Sequence, residues 1–412
     1  MKEAINPLSW EELAKFAPQD KSLTEGPNTS YAFKRLFGQL EQNIRVTLYR
    51  DNHAWCPYCQ KVWLWLEWKR IPYEIKKASM RCYGTKEAWY LKKVPSGMFP
   101  AIEIEKRIFT ESDRILLALE DQYGALGRSM KDPKTLILRR FERLLFQSWC
   151  KWLCSPSLTS SQETHKENEF KTLAKEMEGY LSKANGPWLD PAVDNLGQST
   201  PGSADVIFIP YLERMNASLA YYKGFNLRKE FPAIDKWLSS LEATDVYRGT
   251  QGDFHTHAHD LPPQMGSCWA NNEPIQKEMS SLIDSGKGLG PLETTYEQTT
   301  PPPEAIALAR VLKHRSAIMN SNPMGALLID QPLRAALSRM ISSKAYYPEE
   351  GSAIGLRYLK DRISVPRDMP VIAARKLRQA LEYTASLDSS LQGPAIPINN
   401  RLDQDPRRFR NE

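Results

Sequence analysis

Residues 45–69 read RVTLYRDNHAWCPYCQKVWLWLEWK, and the fold turns on this stretch. Arg45 to Arg50 alternates in polarity and is rich in strand formers, which predicts a β-strand. Cys56-Pro57 then opens a helical stretch through Trp68, and Pro57 suits the first turn because its missing N–H has no intrahelical partner there. A CxxC pair that follows a strand and starts a helix carries chemistry: backbone N–H groups and the helix dipole favour a thiolate at Cys56, the expected exposed nucleophile. Cys59 lies one helical turn on and is the candidate resolving thiol for a mixed disulfide at Cys56. No second CxxC or Cys/His pair with zinc spacing follows, so redox chemistry is favoured over a zinc half-site and no metal is assigned.

Outward from this stretch, Tyr73 to Ala78 reads as a second strand, Lys86 to Lys92 as a short helix, Pro100 to Glu105 and Arg107 to Phe109 as two strands joined by a tight turn, and Glu111 to Tyr123 as a helix. That order predicts a mixed sheet with helices on its faces. A cis peptide at Pro100 would leave the backbone of Phe99 exposed to a peptide-like ligand, although a proline there is, taken alone, an ordinary turn residue. Glu111-Ser112 stands at the start of the last helix. There the Ser112 hydroxyl and free N–H groups suit a carboxylate and Glu111 an ammonium; taken alone, the segment is a capped helix start.

After Pro133 the strand signals stop. Leu136, Leu138, Phe141, Leu144, Leu145, Trp149, Trp152 and Leu153 recur at helical spacing, and further helices are predicted over 169–184, 204–222 and 233–241. Residues 247–303, rich in Gly, Pro, Ser and Thr, read as a linker or packed arm. Helical patterning returns over 304–319, 332–342 and 371–386, and the last ten residues read as loose. The expected organisation is a leader (1–43, with a short helix near Trp10 capped by Ser9), an α/β domain (44–125), an all-helical domain (131–246), the arm (247–303) and a helical extension (304–412). Trp63, Trp65 and Trp68 are too many for one buried stripe, which predicts that the far face of the first helix is covered by another domain or subunit.

Composition bounds the function classes. Of the 412 residues, 41% are apolar, and no apolar run reaches the ~20 residues of a membrane span. The start shows no secretory pattern. Six cysteines in so long a chain point to a reducing compartment, the cytoplasm, or a plastid stroma if a transit peptide has been removed. Residues 301–412 carry 17 Lys and Arg against 11 Asp and Glu, an excess equal to the +6 of the whole chain. Without a nucleic-acid-binding signature this reads as a solvated basic face.

Together these residues resemble the glutathione transferase superfamily, especially its cysteine-type omega and lambda classes and glutaredoxin-like relatives, over roughly residues 45–245. The resemblance implies a thioredoxin-like α/β domain followed by the all-α glutathione transferase C-terminal domain and a mainly helical extension. It implies glutathione as co-substrate, Cys56 as the residue that forms a mixed disulfide with it, and Phe99 before a cis Pro100 as the binder of the cysteinyl part. Glu111 and Ser112 match the pair that holds the γ-glutamyl end, and Lys86 the lysine that reaches the glycyl carboxylate in the omega class. Gly202-Ser203-Ala204-Asp205 is similar to the family's helix-capping box, with Gly202 where a Ser or Thr is usual. The second substrate is a small electrophile or oxidised thiol, a homodimer is left open, and neither nucleic acid nor membrane is expected.

Thiol transfer ranks first because a cysteine faces the ligand. Conjugation of glutathione to an electrophile, and a non-catalytic role with a [2Fe-2S] cluster held by Cys56 and glutathione or a docked partner, are the alternatives. His255, His257 and His259 would share one face of an extended segment and suit a metal, but a hydrogen-bonded polar arm is the stronger reading. Cys150 and Cys154, one helical turn apart, read as core packing.

Overall fold

The alternating run of 46–51 forms the middle strand of a five-stranded sheet, because its β-branched and aromatic side chains bury on both faces. The strands are β1 (Lys34–Arg35), β2 (Val46–Asp51), β3 (Tyr73–Ala78), β4 (Ala101–Ile104) and β5 (Arg107–Thr110), in the order β1-β3-β2-β4-β5. Strand β2 pairs in parallel with β3 and antiparallel with β4, and β4 pairs antiparallel with β5. The structure, a computed structural model, describes residues 6–18, 23–194, 197–289 and 301–388. They belong to two compact units, Ser22–Glu278 and Met1–Lys21 with Met279–Glu412.

In the first unit the sheet carries α2 (Pro57–Lys69), α3 (Ala88–Lys93) and α4 (Ser112–Tyr123), a thioredoxin-like arrangement. Helix α2 starts with Pro57 and ends at Arg70 in the left-handed region. The helical part follows as α5 (Pro133–Cys154), α6 (Ser160–Ser182), α7 (Ser203–Lys223), α8 (Leu227–Glu230), α9 (Pro232–Glu242), α10 (Asp245–Arg248) and α11 (Phe254–Met265), with a hairpin of β6 (Pro191–Val193) and β7 (Ser199–Pro201) before α7. Asp132 and Thr159 cap α5 and α6 with side-chain oxygens. Every residue of α2 from Cys59 to Trp68 is buried, since the sheet lies on one side and α7 and α10 on the other. The tryptophan-rich face is thus covered from within this unit. Trp63 Nε1 donates to Asn28 Oδ1 (3.1 Å), and the Arg50 guanidinium lies 4.5 Å from its ring.

Helix α7 starts without a capping side chain. A Cβ on Gly202 would stand 2.0 Å from the Asp190 carbonyl oxygen, so close chain approach explains the missing Ser or Thr. Asp205 supplies the other half of the cap: its carboxylate accepts from the backbone N–H groups of Gly202, Leu189 and Asp190 and from Trp237 Nε1 (2.7 Å). Burial pushes its pKa up to about 6 against these donors.

The second unit holds α1 (Trp10–Ala14), α13 (Pro303–Lys313), α14 (Arg315–Ser321), α15 (Ala326–Ser342), α16 (Ala353–Arg362) and α17 (Val371–Ser386) around its own core of Leu308, Ile329, Leu333, Leu337, Leu356 and Leu377. Helix α12 (Pro274–Asp284) spans the change from one unit to the other. Ser9 and Glu12 form a reciprocal capping box on α1, Leu8 N donates to Ser338 Oγ (2.8 Å), and Trp10 Nε1 to Asp330 Oδ1 (2.7 Å).

These findings redraw the expected divisions. The leader of 1–43 divides, with α1 in the second unit and β1 in the sheet of the first. Residues 254–265 of the expected arm are a helix packed on α7. Its Pro262 leaves the Ala258 carbonyl without a helical donor, and the Tyr222 hydroxyl supplies one (2.9 Å). Residues 290–300 and the expected loose tail lie outside the described residues.

Candidate functional site

Strand register gathers the expected site at one end of the sheet. Asp51, which ends β2, pairs with Ala78, which ends β3; Ala101, which starts β4, pairs with Thr110, which ends β5. The CxxC turn, the loop 79–87 that carries Lys86, the pair Phe99–Pro100 and the pair Glu111–Ser112 therefore all leave the sheet at that end. The Phe99–Pro100 peptide bond is cis. Ser112 is the first residue of α4, and Glu111 before it takes a positive φ of 67°.

The CxxC turn is built from Asp51. Its Oδ2 accepts from Trp55 N (2.7 Å), and Ala54 adopts the left-handed region with φ 55°, which brings Cys56 to the N-cap of α2. The carbonyl of Cys56 accepts the first helical bond from Gln60 N (3.0 Å). Ligand atoms of Asp51, Cys56 and Cys59 lie within 4.8 Å of one another, all three residues buried. Cys56 is 5% exposed and Cys59 2%, which corrects the expectation of an exposed Cys56: the turn that carries it is held down by Asp51 on one side and by the Arg214 guanidinium on the Trp55 carbonyl on the other. Burial pushes the Cys59 thiol well up, and its hydrogen bond with Cys56 and the charges of Cys56 and Asp51 push the same way. Cys59 therefore stays a thiol beside Cys56. Asp51 Oδ1 is buried with no hydrogen-bond partner among the described residues.

Lys86 donates to the Ser79 carbonyl (3.0 Å), and its ammonium sits 3.7 Å from the centre of the Phe99 ring. Burial lowers its pKa, while Cys59, Asp51 and Cys56 pull the other way. Glu87 fixes the loop by accepting from Ser79 N (2.8 Å) and Oγ (3.0 Å).

A buried polar network that the sequence does not announce supports the site from below. Arg214 of α7 donates to the Trp55 carbonyl and to Gln60 Oε1 (3.0 Å). Gln60 Nε2 donates to Glu213 Oε2 (2.9 Å), and Glu213 Oε1 is 2.6 Å from His257 Nε2 of α11 and accepts from Gly252 N (2.6 Å). Burial works to raise the Glu213 pKa, but the His257 bond and the charges of His257 and Arg214 outweigh it and hold it below the usual value. Beside the turn, Tyr58 meets the edge of Tyr211, and the Arg143 guanidinium lies over Tyr211 and Phe146.

The histidines do not share one face. In the helix His255 and His259 are one turn apart with ring centres 4.4 Å from each other, whereas His257 turns inward to Glu213.

A thioredoxin-like sheet with a CxxC at its helix start, a cis proline and a following helical domain are the features that the resemblance to glutathione transferases implies. Residues 55–122 match the family model described as "Glutathione S-transferase, N-terminal domain". The chain is 25% identical over 198 residues to a chloroplastic glutathione S-transferase, DHAR3, of Arabidopsis thaliana, an alignment covering 48% of this chain and 69% of the relative. It is 25% identical over 207 residues to glutathione S-transferase L3 of the same plant, covering 48% and 79%. Among solved structures, a dehydroascorbate reductase of Chlamydomonas reinhardtii is similar with a TM-score of 0.41 and 24% identity, over 50% of this chain and 93% of that one. Among the described residues no helix is long and apolar enough to cross a membrane.

Proposed function

We propose that this chain is a glutathione-dependent thiol transferase in which Cys56 forms a mixed disulfide with glutathione. The observation that carries the reading is the pairing of Cys56, at the first turn of α2, with a Cys59 thiol kept protonated by burial and by Cys56 itself. Cys56 stands at the N-cap of α2, where the helix start leaves backbone N–H groups free, with Cys59 one turn on.

In the proposed reaction the Cys56 sulfur attacks the glutathionyl sulfur of an oxidised substrate. The substrate's bond to glutathione breaks, the substrate leaves with the electron pair and takes up a proton, and a Cys56–glutathione disulfide remains. A second glutathione thiolate then regenerates Cys56 and departs as oxidised glutathione. Alternatively Cys59, once its proton has passed to Asp51, attacks the Cys56 sulfur and releases the bound glutathione as thiolate, leaving a Cys56–Cys59 disulfide that two further glutathione thiols reduce with formation of oxidised glutathione. In this reading Phe99 before Pro100 binds the cysteinyl part, Glu111 and Ser112 hold the γ-glutamyl end, and Lys86 leaves the Phe99 ring to meet the glycyl carboxylate. Glutathionyl quinones are substrates for the first attack; dehydroascorbate, which carries no glutathionyl sulfur, is instead attacked by Cys56 at a carbonyl carbon, after which a glutathione thiolate attacks the Cys56 sulfur, releases ascorbate with the electron pair and leaves the Cys56–glutathione disulfide.

The test is the intact mass after incubation with oxidised glutathione, with a thiol-transfer assay alongside. One glutathione adduct that disappears in Cys56→Ser, accumulates in Cys59→Ser and accompanies turnover is the expected result. A Cys56→Ser variant that keeps full transfer activity overturns the reading.

A further inference from the structure

Three of the remaining cysteines lie together, away from the CxxC turn. Cys150 and Cys154 are on the last turns of α5, and Cys268 is in the segment that follows α11. That segment is laid along the ends of α5 and α7 by its own hydrogen bonds. Trp269 N donates to the Leu153 carbonyl (2.9 Å), Ser267 Oγ to the Cys154 carbonyl (3.5 Å), and Asn271 donates from N to the Tyr222 carbonyl (3.1 Å) and from Nδ2 to the Lys223 carbonyl (3.0 Å). Residues on both sides of Cys268 are thus bonded to residues 153 and 154, which sets the thiols of Cys154 and Cys268 beside each other, close enough that each shifts the titration of the other. Both residues are only half-buried.

We propose that Cys154 and Cys268 are a second redox-active thiol pair, which closes to a disulfide on meeting a small disulfide such as oxidised glutathione and ties the segment after α11 to the end of α5. Cys154 is the nucleophile: the neighbouring Cys268 thiol lowers its pKa, burial opposes this, and Lys223 adds to the lowering. Lys223 is buried at the end of α7 and paired with Glu163 (2.8 Å), which fixes its charge beside the thiols. Cys150 is excluded as the attacking group, since burial and then Cys154 push its thiol up to about 12.

The exchange balances without a further reactant. The Cys154 thiolate attacks one sulfur of oxidised glutathione, the S–S bond breaks, and one glutathione leaves as thiolate and is protonated. Cys268 then loses its proton to solvent and attacks the Cys154 sulfur, releasing the second glutathione. Two protein thiols are oxidised and one small disulfide is reduced to two thiols. None of this uses Cys56, so the inference stands apart from the proposed function.

The experiment uses the full chain carrying Cys56→Ser and Cys59→Ser, incubated with excess oxidised glutathione at pH 8 and analysed by thiol titration and peptide mass mapping. The expected result is the loss of two titratable thiols with a cross-linked peptide joining Cys154 to Cys268. It is accompanied by a rise of roughly 5–10 °C in the unfolding midpoint of the first unit, because the bond closes a long loop. In a further Cys268→Ser variant a glutathione adduct accumulates on Cys154 instead. Recovery of both cysteines as free thiols, or a cross-link between Cys150 and Cys154, overturns the proposal, and the mapping reads either outcome even if the Cys268 variant does not fold.

Discussion

Asp51 does two things with its carboxylate: Oδ2 holds the turn that presents Cys56, Oδ1 is buried and unpaired among the described residues, and the carboxylate reaches within 4.8 Å of both sulfurs. An oxygen so placed is suited to take the Cys59 proton when Cys59 must become a nucleophile. Replacement by Asn preserves the bond to Trp55 N but removes the base. We expect Asp51→Asn to slow resolution of the Cys56–glutathione disulfide by roughly tenfold or more while the initial attack by Cys56 changes little. Stopped-flow measurement of the two steps across pH separates this from a loss of structure. The sequence made Cys56 and Cys59 legible because a strand, a Pro at the helix start and the spacing of the pair all act locally. Asp51 was not legible, since a lone Asp at the end of a strand looks like any turn residue until β3, α2 and the turn are packed around it.

Helix starts show the same limit at the next scale. The acidic position of the α7 cap is readable as Asp205, but its further acceptance from Leu189, Asp190 and Trp237 comes from segments far apart in sequence. Asp205→Asn turns an amide NH2 toward these donors, so we expect a loss of about 3 kcal/mol in unfolding free energy, read from urea denaturation. Helix α16 was missed because its Ser352 N-cap makes no side-chain bond; Asp388, beyond the end of α17, supplies it by accepting from Ala353 N (2.9 Å). Helix α11 was missed because Pro262 and Pro263 read as linker residues, although Tyr222 repairs the bond that Pro262 breaks. Glu213, which joins α11 to α7 and α2, has a lowered pKa, so its contribution to stability is complete above the usual value of 4.5 and is lost as pH falls through the lower folded value. Denaturation midpoints of the native chain should therefore fall more steeply below about pH 4.5 than those of Glu213→Gln, which starts lower at neutral pH.

At the scale of the molecule, each unit closes its own apolar core, and calorimetry should resolve two unfolding transitions. Leu337→Ala, at a fully buried position of α15, should lower one of them by the equivalent of about 3 kcal/mol and leave the other in place. A single transition shifted as a whole is the contrary outcome. The sequence divided the chain in linear order and so could not show that the second unit draws on two distant stretches. Trp10 and Asp330 are separated by 320 positions, and every residue of the first unit lies between them. On the ribosome, α1 emerges before the whole of the first unit and its partners only after it. The first unit can complete its fold as an insert while α1 is still waiting, so the outer unit closes only through a contact that spans the whole of the inner one.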